Sequence, residues 1–187
     1  MTLREAAGNF DTAAKSQTQF DIAHIWIMMP GTQLAGRQMF QAQDTNFRER
    51  VRTSFARQQV MVTLGIEMVH VEPGEVHLTM PPNAAFTQQH GFMHAGIITT
   101  ALDSACGYAA FSLMPANAAV LTVEFKTNLL APAKGERFVF RAHVIKPGRT
   151  LTICDAQALA LEGSSEKLVA TMTGTLMAVI GRGEIAG

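Results

Sequence analysis

The chain has 187 residues, enough for one domain with a sizeable core and too short for two ordinary ones. Fifteen basic side chains balance fifteen acidic ones, and charged residues make up 16% of the chain against 48% apolar. That balance excludes the basic footprint of a nucleic-acid or anionic-membrane partner, and the low charge predicts apolar surface buried between subunits of an oligomer.

Residues 1–44 are rich in Ala, Gln and Thr and follow neither the helical nor the strand period, so they read as an N-terminal extension. Phe10 to Ile27 is its best helical candidate, and the AHIWIMMPG segment is expected to pack on the domain or on a neighbour. The apolar run from Ile25 to Pro30 is far short of the ~20 residues of a membrane span. Glu5, Asp11 and Asp21 interrupt what a signal peptide would need, so no membrane partner is expected. Cys106 and Cys154 stand in no CxxC spacing, which supports neither a disulfide framework nor a zinc site and fits a reducing cytoplasm.

The domain proper is predicted over 45–181, with 182–187 as a tail. It opens on an amphipathic helix from Thr45 to Met61, where Phe47, Val51 and Phe55 recur at helical spacing among arginines. Leu64 to Val71 and Glu75 to Met80 alternate apolar and polar residues around Glu72-Pro73-Gly74, the pattern of a hairpin. Pro81 and Pro82 end the second strand, and Asn83 to Met93 forms a glycine-containing loop. From Ala95 to Met114 the chain is helical in pattern, apolar on nearly every face and free of proline, which predicts a buried helix of about five turns. Four strand patterns follow: Ala119 to Leu130, Glu136 to Ile145, Thr150 to Leu161 and Lys167 to Ile180. The separators APAKG, KPGR and EGSS read as short turns, so neighbours are expected to pair antiparallel. The fold class is therefore α+β, one antiparallel sheet curled around one long central helix, since no second helical layer exists to cover a parallel sheet.

Asp103 is the single acidic residue of that apolar helix, and a poorly solvated carboxylate is costly unless it is partnered or has work to do. If the helix starts at Ala95, the amides of Ala95 and Gly96 are orphan donors at a positive dipole end, suited to an oxyanion formed on a carbonyl. Asp103 would then serve as base for a water molecule or as a direct nucleophile, and the sequence leaves both open beside the plainer reading of a structural acceptor. Eight residues separate Ala95 from Asp103, roughly 12 Å at 1.5 Å per residue. One carbonyl cannot readily meet both on one chain, so a functional site is expected to need a dimer with antiparallel helices. His90 and His94 can cap the loop, and His94 taken alone reads equally as a structural residue. Ser104 lacks a GxSxG elbow and Cys106 has no base in register, so both are packing residues. His70 and His77 fall on strands without a third ligand in the pattern, so no metal and no cofactor is expected.

The run QQHGFMHAGIITTALDSACGYAAFSLMP, followed by VLTVEFKTNLLAPAKGERFVFRAHVIKPGRTLTICDAQ, resembles the hotdog-fold thioesterases of the phenylacetic-acid-degradation (PaaI-like) type, over roughly 46–180. The family's HGG motif reads here His94-Ala95-Gly96, its aspartate nine residues after the histidine is Asp103, and its hydroxyl residue in the next strand falls on Thr122. The resemblance implies that the Ala95 amide donates to a thioester carbonyl and that Asp103 of the facing subunit activates water or attacks. It further implies that His94 holds the turn and that Thr122 orients the carboxylate or the water. Gln88 stands where relatives often carry Asn, and Ala95 replaces the motif's first glycine. Acyl or aryl-acyl thioesters of coenzyme A are the implied substrates, with Phe86 and Phe92 lining the acyl pocket and Lys146 and Arg149 at the phosphates. A homodimer is the implied minimum unit, within a dimer of dimers. Two other functions compete on the same fold: a hydroxyacyl-thioester dehydratase or hydratase, and a non-catalytic acyl-thioester sensor.

Overall fold

The computed structural model describes residues 39–181. The predicted helix of Phe10 to Ile27, the AHIWIMMPG segment and the tail 182–187 lie outside the described residues. The first predicted helix is two: α1 (Phe47–Ala56) and α2 (Gln59–Leu64), divided where Gln58 takes an extended backbone. Phe47, Val51 and Phe55 form the buried face of α1, as their spacing requires. Gly65, at φ 66°, closes α2 in the left-handed conformation that glycine adopts without strain. Helix α2 thus takes up Leu64, and the first strand starts later than predicted.

Strands β1 (Glu67–Glu72) and β2 (Glu75–Met80) form the expected hairpin, with Pro73 before Gly74 at φ 78°, the chemistry of a type II turn. A 3₁₀ turn, Ala84–Phe86, leads into the loop before α3 (Ala95–Phe111), which starts at the predicted residue and ends three short of Met114. Strands β3 (Ala118–Leu129), β4 (Arg137–Lys146), β5 (Leu151–Glu162) and β6 (Ser165–Ile180) follow. All pairings are antiparallel in the order β1-β2-β4-β5-β6-β3.

That order corrects one expectation: the APAKG segment is not a hairpin turn. Residues 130–136 cross the ends of β6 and β5, with the Leu130 and Ala131 amides donating to Val169 O and the Glu136 amide to Leu161 O. The chain leaves β3 at one edge and returns as β4 in the middle of the sheet. Strand β3 therefore keeps one edge unpaired by any strand of the described residues, exposing Leu121, Val123, Phe125 and Leu129 along it.

The sheet wraps α3 as predicted, in the hotdog arrangement that the motif resemblance implied. Val76, Leu78 and Met80 of β2, Phe138 and Phe140 of β4 and Met172 and Leu176 of β6 are buried in one core with Ile98, Leu102 and Phe111 of α3. Small side chains let the layers approach: Ala101, Ala105 and Ala109 on the helix, Ala156, Ala158 and Ala160 on β5, and Gly174 on β6 next to Cys106. Each large side chain fully buried here stabilises the fold by roughly 1.5–3 kcal/mol. Arg50 of α1 closes the far end of α3. Its guanidinium donates to Phe111 O at 3.2 Å and Met114 O at 2.8 Å, pairs with Asp44 at 2.8 Å, and lies over the Phe111 ring. Phe40 packs partly buried against the same core. Among the described residues no helix is long and apolar enough to cross a membrane.

Candidate functional site

The start of α3 is built by the loop before it. Gln88 N–H donates to Phe92 O at 2.8 Å and Gly91 N–H to Gln88 O at 2.9 Å, a tight turn with Gly91 at φ 79°. The Gln88 side-chain carbonyl accepts from the His90 amide within the same turn. Met93 N–H donates to Ala133 O and His94 N–H to Phe86 O, each at 2.9 Å, which anchors the turn to the β3–β4 crossing and to the 3₁₀ turn. His94 is the N-cap. Its Nδ1 accepts from the Gly96 amide at 3.0 Å, so its ring proton sits on Nε2 in the neutral form. Gly96 carries no side chain for a local reason, because a Cβ there would stand 3.1 Å from His94 Nδ1.

These contacts revise the expected donor pair. The Gly96 amide is engaged by His94, and the Ile97 and Ile98 amides reach His94 O at 3.0 and 3.3 Å. Among the described residues no hydrogen bond claims the Ala95 amide, so one donor of the first helical amides rather than two is left open. As the first helical residue Ala95 needs no glycine-only backbone, which explains why alanine is accommodated at this motif position.

Ala95 lies in the wall of a pocket of about 410 Å³, with Gln88, Phe92, Met93, Ile98, Leu129 and Val169, and with residues 130–133 of the crossing. Of the predicted side chains, Gln88, Phe92 and Ala95 meet there. Phe86 does not line it, and it packs instead from the 3₁₀ turn against the core. Lys146 and Arg149 are likewise absent from its wall. Lys146 pairs with Ile153 and Ile153 with Thr175, which stands six residues along β6 from Val169, roughly 20 Å at strand rise. The wall contributed by Leu129 to Ala133 escaped the sequence reading, which ends a strand at Leu130 and takes APAKG for a turn.

Asp103 lies elsewhere on α3, outside that pocket. Thr122 Oγ1 donates to Asp103 Oδ1 at 2.8 Å. A register shift between Thr122 and Glu124 makes this contact possible: Thr122 pairs with the core-facing Leu176 and Glu124 with the outward Thr175, so the extra residue, Val123, lets Thr122 turn to the helix. Burial pushes the Asp103 carboxyl above its ordinary value of 3.8, and the Thr122 hydrogen bond opposes that rise. A half-buried carboxylate oriented by a hydroxyl, on the helix beside an unpaired strand edge, is fitted to take a proton or to attack a substrate arriving from that side. Cys106 and Cys154 are fully buried, and burial raises both thiols, Cys154 to about 12, which leaves them inert as nucleophiles.

A thioesterase family protein from Silicibacter pomeroyi, known as a crystal structure, is 63% identical to this chain, covers 72% of it and 99% of its own length, and superposes with a TM-score of 0.71. The chain belongs to the thioesterase superfamily. The profile of that superfamily matches residues 90–166, from the turn before α3 into the start of β6. As a member of it, the protein is a thioester hydrolase. The human acyl-coenzyme A thioesterase 13 is 32% identical over 87 residues, 46% of this chain and 61% of the relative. The Escherichia coli PaaI protein of the phenylacetic acid degradation operon shares the fold at 20% identity, over 73% of this chain and 95% of its own, with a TM-score of 0.66. The thioesterase thus has a hotdog domain with a helix-start amide in an apolar pocket, and a separate carboxylate farther along the same helix.

Proposed function

We propose that the protein hydrolyses an acyl or aryl-acyl thioester of coenzyme A, in a site that two copies of the chain complete. The observation that carries this reading is the separation of the two halves: the unused Ala95 amide lines the pocket, and Asp103 with Thr122 does not. A second copy meeting the open β3 edge would bring its Asp103 toward the first copy's helix start, and it would cover Leu121, Phe125 and Leu129. A dimer is thus the minimum active unit, and a dimer of dimers is compatible with the chain's low charge.

In this mechanism the acyl group lies in the pocket against Phe92, Met93 and Ile98, and the thioester oxygen faces the Ala95 amide. Asp103 of the other subunit removes a proton from water as the water oxygen bonds to the carbonyl carbon, or its carboxylate attacks that carbon directly and water then hydrolyses the resulting mixed anhydride, supplying the proton that the thiolate takes up. Negative charge collects on the oxygen held by the Ala95 amide, the carbon–sulfur bond breaks, and the coenzyme A sulfur leaves with its proton restored. Thr122 fixes the carboxylate through Oδ1 and leaves Oδ2 for the reaction. Gln88 sits at the pocket wall beside Ala95, within reach of the carbonyl or of water. The kinship with acyl-coenzyme A thioesterase 13 supports the coenzyme A ester. Lys146 and Arg149 would meet its phosphates only from another subunit.

Free-thiol release measured across short, long and aromatic acyl-coenzyme A esters tests this function. Turnover is expected on at least one class, with Asp103→Asn lowering kcat about 10²- to 10⁴-fold. Tight binding of every ester without thiol release would replace the enzyme with a binding module. Unchanged turnover in a folded Asp103→Asn protein would remove the carboxylate from the mechanism.

A further inference from the structure

The sheet face turned away from α3 carries a cluster that thioester chemistry does not use. His70, Glu75 and His77 each offer one ligand atom there, all within 4.8 Å of one another. We propose that these three residues form a binding site for a divalent transition cation, with Zn²⁺ as the best-matched ion, clipping the edge strand β1 to β2.

The backbone sets up this grouping. The two-residue turn pairs Glu72 with Glu75, Val71 with Val76 and His70 with His77. Val71 and Val76 are buried against the core, so their neighbours His70, Glu75 and His77 take the opposite face. The β1 register shifts between Met68 and His70. Without that bulge at Val69, Met68 and His70 would alternate onto one face. With it, Met68 packs on the core while His70 turns outward to face His77. A bulge that re-aims one histidine onto another is a specific feature of this hairpin.

The side chains are close and shielded. The two imidazole rings lie 4.6 Å apart between centroids, tilted by 34°. His77 Nε2 is 2.8 Å from Glu75 Oε1, with only 15% and 21% of the two side chains exposed. Metal–ligand bonds of about 2.0–2.2 Å place tetrahedral ligand atoms roughly 3.3 Å apart, so a modest rotation of the histidine side chains closes the set. The cation would take the place of the hydrogen on the His77–Glu75 contact, with His77 bound through Nε2 as a neutral imidazole whose ring proton sits on Nδ1. Two imidazoles and one carboxylate match Zn²⁺ and its neighbours in the transition series, and they match Mg²⁺ and Ca²⁺ poorly. His143 pairs with Glu75 from β4 on the same face, in position to approach a fourth coordination site. The one cationic side chain paired with His77 from β4, Arg141, has its guanidinium on Glu166 at 2.8 Å. Asp155, beside His143 on β5, adds negative charge to the face.

Titration of the untagged, EDTA-dialysed full chain with Co²⁺ and Zn²⁺ tests the site. We expect about one equivalent of Co²⁺ per chain, visible d–d absorption displaced by Zn²⁺, and a melting temperature raised by roughly 5–10 °C at 100-fold excess over Kd. His70→Asn/His77→Asn should bind at least about 10-fold more weakly and lose the absorption band. Glu75→Gln, which keeps the shape and removes the charge, should weaken binding in the same direction. Thioester turnover should stay within about 2-fold in both variants, because the cluster lies across the sheet from Asp103. Uptake below about a tenth of an equivalent, an equal response to Mg²⁺, or wild-type Co²⁺ binding by the double variant would each overturn the proposal.

Discussion

Complementation between two inactive variants measures whether the amide and the carboxylate of one site come from different chains. Ala95→Pro deletes the Ala95 amide, which no hydrogen bond among the described residues requires. Proline suits this position because Ala95 is the first helical residue, and the preceding His94 already has φ −62° and ψ 138°, the conformation that proline imposes on its predecessor. The Ala95→Pro protein should therefore melt within about 2 °C of wild type while losing about 10²- to 10³-fold in kcat with its oxyanion donor. Asp103→Asn keeps the Thr122 hydrogen bond through the amide oxygen and loses the carboxylate. Co-refolding equal amounts gives about half heterodimers, and each heterodimer holds one site with both lesions and one with neither. About a quarter of all sites should recover, far above the residual activity of either parent. Thiol release read alongside native mass spectrometry checks both numbers. A mixture that stays at parental activity while half its dimers are mixed, with Ala95→Pro melting normally, refutes the shared site.

Four further outcomes follow from the structure. Because burial raises the Asp103 carboxyl above 3.8, a base at this position loses activity as pH falls through that raised value, so the acid limb of kcat/KM should lie above 3.8. The same raised value makes the ionised carboxyl a cost to folding above it; Asp103→Asn should melt higher than wild type at neutral pH, with the gap closing as pH falls toward 3.8. Arg50→Met should lower the urea midpoint, since it removes the guanidinium that pairs with Asp44 and donates to the carbonyls of Phe111 and Met114 at the end of α3. Phe125→Glu, on the open edge of β3, should give a folded but monomeric and inactive protein by sedimentation, and a dimer that persists with full activity would place the subunit contact elsewhere.

How far each feature was legible depends on whether it is local. The period of two in β2, β5 and β6, the apolar run of α3 and the turn signals at Pro73-Gly74 lie within short stretches, and the structure meets them within a few residues. The sheet order is a long-range property: nothing within APAKG says that β3 pairs with β6, forty residues on, rather than with β4. The Gly96 amide looks available in the sequence because the helix start is legible, whereas a cap by His94, legible as a possibility, does not by itself say which amide the ring claims. Asp103 stood out as a charge in an apolar helix, and its partner Thr122 could be placed only by resemblance, since a bulge at Val123 decides which way it faces. The grouping of His70, Glu75 and His77 was legible in principle. A turn of two residues at 73–74 already pairs His70 with His77, and the strand period already puts Glu75 on the face of His77. A search for ligands spaced along one strand passes over this set, because its third member comes from the hairpin's geometry. Register, once a two-residue turn is identified, is itself sequence information, and it brings residues together as surely as a motif does.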